Sequence, residues 1–188
     1  MLGRWNVEMV NMTLKEKIGQ MIMTGFNGCT ISPEILELIS DYKIGNIILF
    51  SRNLLNAKQI NELCKKLDYI IRENTRFPAF ISIDQEGGVV SRLPQEMNNI
   101  PSAMLLGATQ NDEYAYRAGV ITGEELRSLG INVDLAPVLD VNNNPDNPVI
   151  GVRSYSSDPN QVARFGVGMM KGLESIGIMP TLKHFPGH

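Results

Sequence analysis

The chain has 188 residues, 43% apolar and 20% charged, the balance of a soluble globular protein of one ordinary domain. A net charge of −3 with no block of Lys or Arg excludes nucleic acid as a main partner, because neutralising phosphates needs clustered cations. No run approaches the roughly 18 apolar residues of a membrane span, and the two distant cysteines, Cys29 and Cys64, have neither zinc nor redox spacing.

The first residues, Met1-Leu2-Gly3-Arg4-Trp5-Asn6, lack the apolar core of a signal peptide. They read as a ragged arm, with Met9 and Met12 as alternative starts. Two reduced thiols and no leader suit a cytoplasmic protein.

Apolar runs then alternate with amphipathic ones. Residues 18–26 read as a strand, or as a helix end leading into one, followed by a turn at Asn27-Gly28. Ser32 before Pro33 is a helix start, since Ser caps and Pro suits the first helical position. The helix covers about 33–42, with Ile35, Leu38 and Ile39 on one face. Ile47-Ile48-Leu49-Phe50 is continuous and apolar, as in a strand covered on both faces. Asn56 caps a helix over about 57–74, with Ile60, Leu63, Leu67, Ile70 and Ile71 at helical spacing. Residues 79–83 form the next buried strand. A loop rich in Asn, Pro and Ser leads to a helix over about 112–129. A strand over 131–139, a long loop over 140–159, a helix over 160–176 and a strand over 178–182 complete the chain.

Strand–helix alternation with buried strands predicts a parallel sheet with right-handed crossovers, either doubly wound or a (β/α)₈ TIM barrel. A barrel needs about 250 residues, so about five βα units would be part of one. No second domain, linker or fixed-period repeat is present.

Polar clusters sit at strand ends, where α/β barrels place their active sites. The first is Asp84-Gln85-Glu86-Gly87-Gly88, with Arg92 beyond it. Two carboxylates on one face can serve acid–base chemistry or accept from sugar hydroxyls. The same residues also fit a helix cap with an ion pair to Arg92. The second runs from Asp134 to Asn142. Pro137 there marks a bulge or strand end, and Asp140 reads as a residue that orders loop amides or pairs with an Arg. The third contains Arg153, whose guanidinium can fork to a carboxylate or to two hydroxyls. The fourth is Lys183-His184-Phe185-Pro186-Gly187-His188. A cation and an imidazole there can grip hydroxyls or a carboxylate, although a solvated Lys beside a core His has the same letters. His184 and His188 lie four apart, but Pro186-Gly187 breaks the helix that such metal ligands need. No metal and no cofactor is expected. There is no Gly-x-Ser-x-Gly elbow, and neither Cys has a base nearby in sequence.

In this order, Gly45 to Phe50, Ile83 to Gly88, Asp134 to Asn142, Gly151-Val152-Arg153-Ser154 and Lys183 to His188 resemble glycoside hydrolase family 3. Glu86-Gly87-Gly88 and His184-Phe185-Pro186-Gly187-His188 look like its β-N-acetylhexosaminidase branch. The resemblance spans about residue 12 to the last residue. It implies the N-terminal part of a TIM-barrel domain over 1–188, holding roughly the first five βα units. It implies retaining hydrolysis of terminal β-linked N-acetylglucosamine through a covalent glycosyl-enzyme, in many bacteria from cell-wall fragments. Asp84, Arg92, Arg153, Lys183 and His184 would hold the sugar. The acid/base His and the nucleophilic Asp of this branch come after the terminal motif, so no catalytic residue is expected within this chain. By itself it is expected to be inactive and, as an unclosed barrel, to self-associate, with Phe80, Ile81 and Ile178 among strands that need covering. A carbohydrate-binding or interaction module, and a β-glucosidase-type member, are the alternatives.

Overall fold

The computed structural model describes residues 12–188; the ragged arm and the alternative start at Met9 lie outside the described residues. Helix α1 spans Leu14–Met21. Thr13 and Glu16 cap it reciprocally: the Thr13 hydroxyl accepts from Glu16 N at 3.3 Å, and Glu16 accepts from Thr13 N at 2.8 Å. Of the two readings of 18–26, the helix end leading into a strand holds. Strand β1 is only Met23–Thr24.

Helix α2, Pro33–Ser40, starts where Ser32 and Pro33 predict and buries Ile35 and Ile39. Strand β2 is Asn46–Leu49, followed by a short 3₁₀ turn, Ser51–Asn53. Helix α3, Ala57–Thr75, begins at Asn56, whose side chain accepts from Gln59 N, and buries Ile60, Leu63, Cys64, Leu67 and Ile71. Strand β3 is Phe80–Ile83. The loop beyond it contains an unpredicted helix, α4, Ala103–Ala108, capped by Ser102. Helix α5, Glu113–Leu129, leads to β4, Val133–Asp134. Helix α6, Pro159–Ser175, leads to β5, Met179–Pro180.

The last two strands are shorter than the apolar runs of 131–139 and 178–182 suggest. Each segment carries a proline. Pro137 and Pro180 have no N–H to give a ladder. Beyond β4 and β5 the two segments stay joined by further backbone bonds, Leu139 N to Lys183 O at 2.6 Å and Lys183 N to Pro137 O at 3.2 Å.

All five strands pair in parallel, in the order β1-β2-β3-β4-β5. A doubly wound sheet grows in both directions from its first strand. Here each strand lies beside its predecessor, as in a barrel. The α/β barrel expectation is therefore met, with five of its strands present. The main apolar core lies between sheet and helices, built from residues such as Ile47, Leu49, Ile81, Ile83, Ile39, Leu67, Leu126 and Phe165. Ile81 and Ile178 are each 1% exposed, so of the three named residues only Phe80 presents an accessible side chain. Phe80 is 43% exposed and joins Met23, Met179 and Leu182 as accessible apolar residues in or just after strands. Among the described residues no helix is long and apolar enough to cross a membrane.

Helices α5 and α6 touch through glycines. A Cβ on Gly172 would press on Tyr116 O and sit 2.9 Å from Gly119 Cα. Both obstacles are backbone, so neither can swing aside. Gly172→Ala should destabilise the protein by about 1–3 kcal/mol, the usual cost of overpacking. A thermal midpoint equal to that of the unchanged protein would refute this account of the crossing.

Candidate functional site

Strands β2 to β5 run in one direction, so the loops that leave them gather at one end of the sheet. After β3 the chain reaches Asp84 and Glu86, then turns through Gly87 and Gly88 with φ of 89° and 55°. A Cβ on Gly87 would collide with Ile100 and Pro101 O, so the tight return of the chain beside residues 100–102 requires glycine there. After β5 come Lys183 and His184. The long loop after β4 contributes Asp140 and, from a 3₁₀ turn at Gly151–Arg153, Arg153.

These side chains form one network. Lys183 Nζ donates to Asp84 Oδ1 at 2.7 Å and also contacts Glu86 Oε1. Arg153 grips Glu86 with both arms of its fork, Nε to Oε2 and Nη2 to Oε1, each at 2.8 Å. Its Nη1 donates to Val149 O at 3.2 Å. The side chain of Glu86 is 6% exposed, and those of Lys183 and Arg153 are 14% and 16%. Burial pushes the Glu86 carboxyl upward, but hydrogen bonds from Arg153 and Lys183 outweigh it and hold the group below the usual carboxylate range. The Arg153 guanidinium is shifted upward, chiefly by its bond to Glu86.

His184 and Asp140 make a second pair beside the first. His184 Nδ1 lies 2.6 Å from Asp140 Oδ2, and Asp140 Oδ1 accepts from His188 N at 2.8 Å. Asp140, His184 and His188 line an open cleft of about 510 Å³ together with Lys183, Leu139, Val141, Asn143, Leu182, Phe185, Pro186 and Gly187.

Four of the five sugar-holding candidates therefore lie on elements that meet at one end of the sheet: Asp84, Arg153, Lys183 and His184. Arg92 does not join them by any bond. Its backbone N–H donates to Gln85 Oε1 at 2.9 Å, and its buried Nε has no hydrogen-bond partner among the described residues. The ion pair of Glu86 with Arg92 is thus replaced by one with Arg153, 67 residues away in sequence. Asp140 does order a loop amide, but its side-chain partner is His184 rather than an Arg. Sequence reasoning gives no role to Asp134. It is fully buried, accepts from Gln85 N at 3.0 Å and has its second oxygen unpartnered. Burial raises its carboxyl well above the usual carboxylate range. A lone Asp inside the largely apolar run 131–139 is the one signal that could find it.

The valences left open define what the site can bind. Asp84 Oδ2 has no partner among the described residues and accepts hydrogen bonds. Lys183 retains one of its three N–H bonds. His184 Nε2 has no partner among the described residues. Acceptor, donor and imidazole together suit a polyol, whose hydroxyls both give and take. Among the described residues, no group of three or more His, Cys, Asp or Glu is placed to hold a metal ion.

Comparison with known proteins bears on this arrangement. Residues 13–188 match the model of the glycosyl hydrolase family 3 N-terminal domain. A β-hexosaminidase A of Pseudoalteromonas piscicida is 42% identical over 95% of this chain, which spans 33% of that protein. The structure of a glycoside hydrolase family 3 β-N-acetylglucosaminidase from Paenibacillus sp. superposes with a TM-score of 0.92 at 48% identity, over 94% of this chain and 34% of that one. NagZ from Neisseria gonorrhoeae, solved in complex with N-trifluoroacetyl-D-glucosamine, superposes with a TM-score of 0.81 at 31% identity, over 89% of this chain and 50% of that one. The chain thus spans between a third and a half of the length of these relatives.

Proposed function

The chain belongs to glycosyl hydrolase family 3, and from that premise we propose that residues 1–188 are the N-terminal part of the barrel domain of a retaining β-N-acetylglucosaminidase. The complete protein releases terminal β-linked N-acetylglucosamine from cell-wall fragments in the cytoplasm. The observation that carries this reading is the set of open valences on Asp84, Lys183 and His184 at the C-terminal end of a sequentially ordered parallel sheet. The β-hexosaminidase names of the relatives, and the N-acylglucosamine bound in the Neisseria structure, support it.

In this mechanism the present residues grip and do not cleave. Asp84 accepts from ring hydroxyls through Oδ2. Lys183 donates its remaining N–H, and His184 contributes Nε2. Arg92 completes the grip. Arg153 and Glu86 hold Lys183 and the 84–88 turn in place. Fixing the ring converts binding into orientation of the anomeric carbon. Hydrogen bonds to the hydroxyls that tighten as the oxocarbenium-like transition state forms lower the barrier further. The acid that protonates the leaving oxygen and the carboxylate that attacks the anomeric carbon come from the remainder of the complete protein.

The test is turnover of chromogenic substrates. The complete protein should hydrolyse a β-N-acetylglucosaminide much faster than a β-glucoside, with retention of configuration. The reverse preference would transfer it to the β-glucosidase branch. The isolated 188-residue chain should show no turnover, and any sustained hydrolysis by it would refute the division of labour. The same chain should associate, because among the described residues β1 and β5 each leave one edge unpaired and Met23, Phe80, Met179 and Leu182 are exposed. A monomer mass of 20.9 kDa in light scattering would contradict that part.

A further inference from the structure

His184 Nδ1 and Asp140 Oδ2 meet at 2.6 Å. The Asp140 side chain is 3% exposed, against 33% for His184, so the carboxylate is enclosed while the imidazole reaches the cleft. The other carboxylate oxygen is occupied by His188 N at 2.8 Å. Both oxygens of Asp140 therefore face nitrogen atoms of the same terminal segment, one a backbone N–H and the other a ring nitrogen.

Burial pushes the Asp140 carboxyl upward, yet the bonds from His184 and His188 N outweigh it and keep the group below the usual carboxylate range. An ionised carboxylate has no proton to give. The proton in the 2.6 Å contact therefore belongs to the ring, on Nδ1. In a neutral imidazole, that leaves Nε2 as a bare lone pair.

We propose that Asp140 is a positioning residue that locks His184 in the Nδ1–H tautomer, so that Nε2 faces the cleft as an acceptor selective for a hydroxyl. This rests on the reading of His184 as a sugar-holding residue. A hydroxyl can donate to Nε2, whereas a carboxylate or a carbonyl has nothing to donate. The adjacent Lys183 ammonium is purely a donor. The two neighbours together accept from and donate to a substrate, and Asp140 decides that the imidazole accepts. A histidine held by a carboxylate through one nitrogen and offering the other is a general means of fixing ring orientation and tautomer.

The replacement Asp140→Asn separates this from a structural role. An amide has one oxygen and one NH₂ group. With its oxygen on the His188 N–H, its NH₂ faces His184 Nδ1. The ring then accepts at Nδ1 and carries its proton on Nε2. The opposite amide orientation sets NH₂ against the His188 N–H, two donors face to face, and is disfavoured.

The experiment is long-range ¹H–¹⁵N correlation on the complete protein labelled with ¹⁵N-histidine, the His184 signals being assigned by their loss in His184→Gln. The unchanged protein should show a protonated Nδ1 and a bare Nε2, and Asp140→Asn should exchange them. In kinetics on a β-N-acetylglucosaminide, Asp140→Asn should raise KM about 10- to 100-fold, the scale of one buried hydrogen-bond partner left unmatched. Asp140→Glu, which keeps the carboxylate, should restore the tautomer. A protonated Nε2 in the unchanged protein overturns the proposal even if Asp140→Asn does not fold. So does an unaltered tautomer in a folded Asp140→Asn. Inactivity of the unchanged complete protein would instead remove the sugar reading, while the spectra still decide the tautomer.

Discussion

In the complete protein, Asp84→Ala should lower kcat/KM on a β-N-acetylglucosaminide about 100- to 10,000-fold, the equivalent of roughly 3–5 kcal/mol. Two losses combine. The free oxygen Oδ2 no longer accepts from the sugar, and the largely buried Lys183 loses a charge partner at 2.7 Å. The freed ammonium turns fully toward Glu86, which tilts its two unpaired N–H bonds away from the ring. Both KM and kcat should therefore suffer. Asp84→Asn should be nearly as damaging, because an amide keeps the shape but gives Lys183 no counter-charge. Steady-state kinetics beside urea unfolding of the same variants is the check. Activity within about threefold of the unchanged protein would remove Asp84 from the site.

The second large effect concerns stability. Glu86→Ala leaves Arg153 and Lys183, both mostly buried, without their shared carboxylate. Breaking such a pair from one side costs about 3–5 kcal/mol, enough to unfold a marginal protein. Glu86→Gln tests the charge alone. The folded-state pKa of Glu86 lies below its ordinary value. Its stabilisation is therefore fully present above the unfolded value of about 4.3 and is lost as pH falls through the folded one. Asp140, shifted in the same direction, contributes to the same acid window. The unchanged protein should thus lose stability steadily below about pH 4.5. Glu86→Gln should be weaker at pH 7 and flatter in acid. Parallel curves of unfolding midpoint against pH for the two proteins would show that Glu86 carries no such charge energy.

Elements written in a single local pattern are legible in the amino-acid sequence alone. Ser32-Pro33, Asn56 and the helical spacing of Ile60, Leu63 and Leu67 place α2 and α3 within a residue or two. Helix α1 is only half legible, although Thr13 and Glu16 have the spacing of a reciprocal cap, because Ile18, Met21, Ile22 and Met23 also make a strand-like run. Helix α4 has six residues and too little periodicity to stand out. The site divides along similar lines. Strand ends point to Asp84, Lys183 and His184 because position at the end of an apolar run is local information. Partner choice is not local. Glu86 has an Arg six residues away and takes the one 67 residues away, because the crossovers after β3 and β4 decide which loops meet. The partner of Asp140 is hidden for the same reason: nothing in residues 134–142 announces a histidine 44 positions later.

The sequential strand order has a consequence for how the polypeptide is made. Met23 pairs with Asn46, Asn46 with Phe80, Ser82 with Val133 and Val133 with Met179, so partners lie 23, 34, 51 and 46 residues apart. No strand waits for a distant one. Each becomes pairable as soon as the next helix and strand have left the ribosome, and domains are known to form from the N-terminus during synthesis. Parallel pairing is slow when loop closure is long; here closure never exceeds one crossover. The growing chain can therefore lay its sheet down one strand at a time, and the charged cluster at the strand ends is assembled only when Lys183 emerges to close the charges on Asp84 and Glu86.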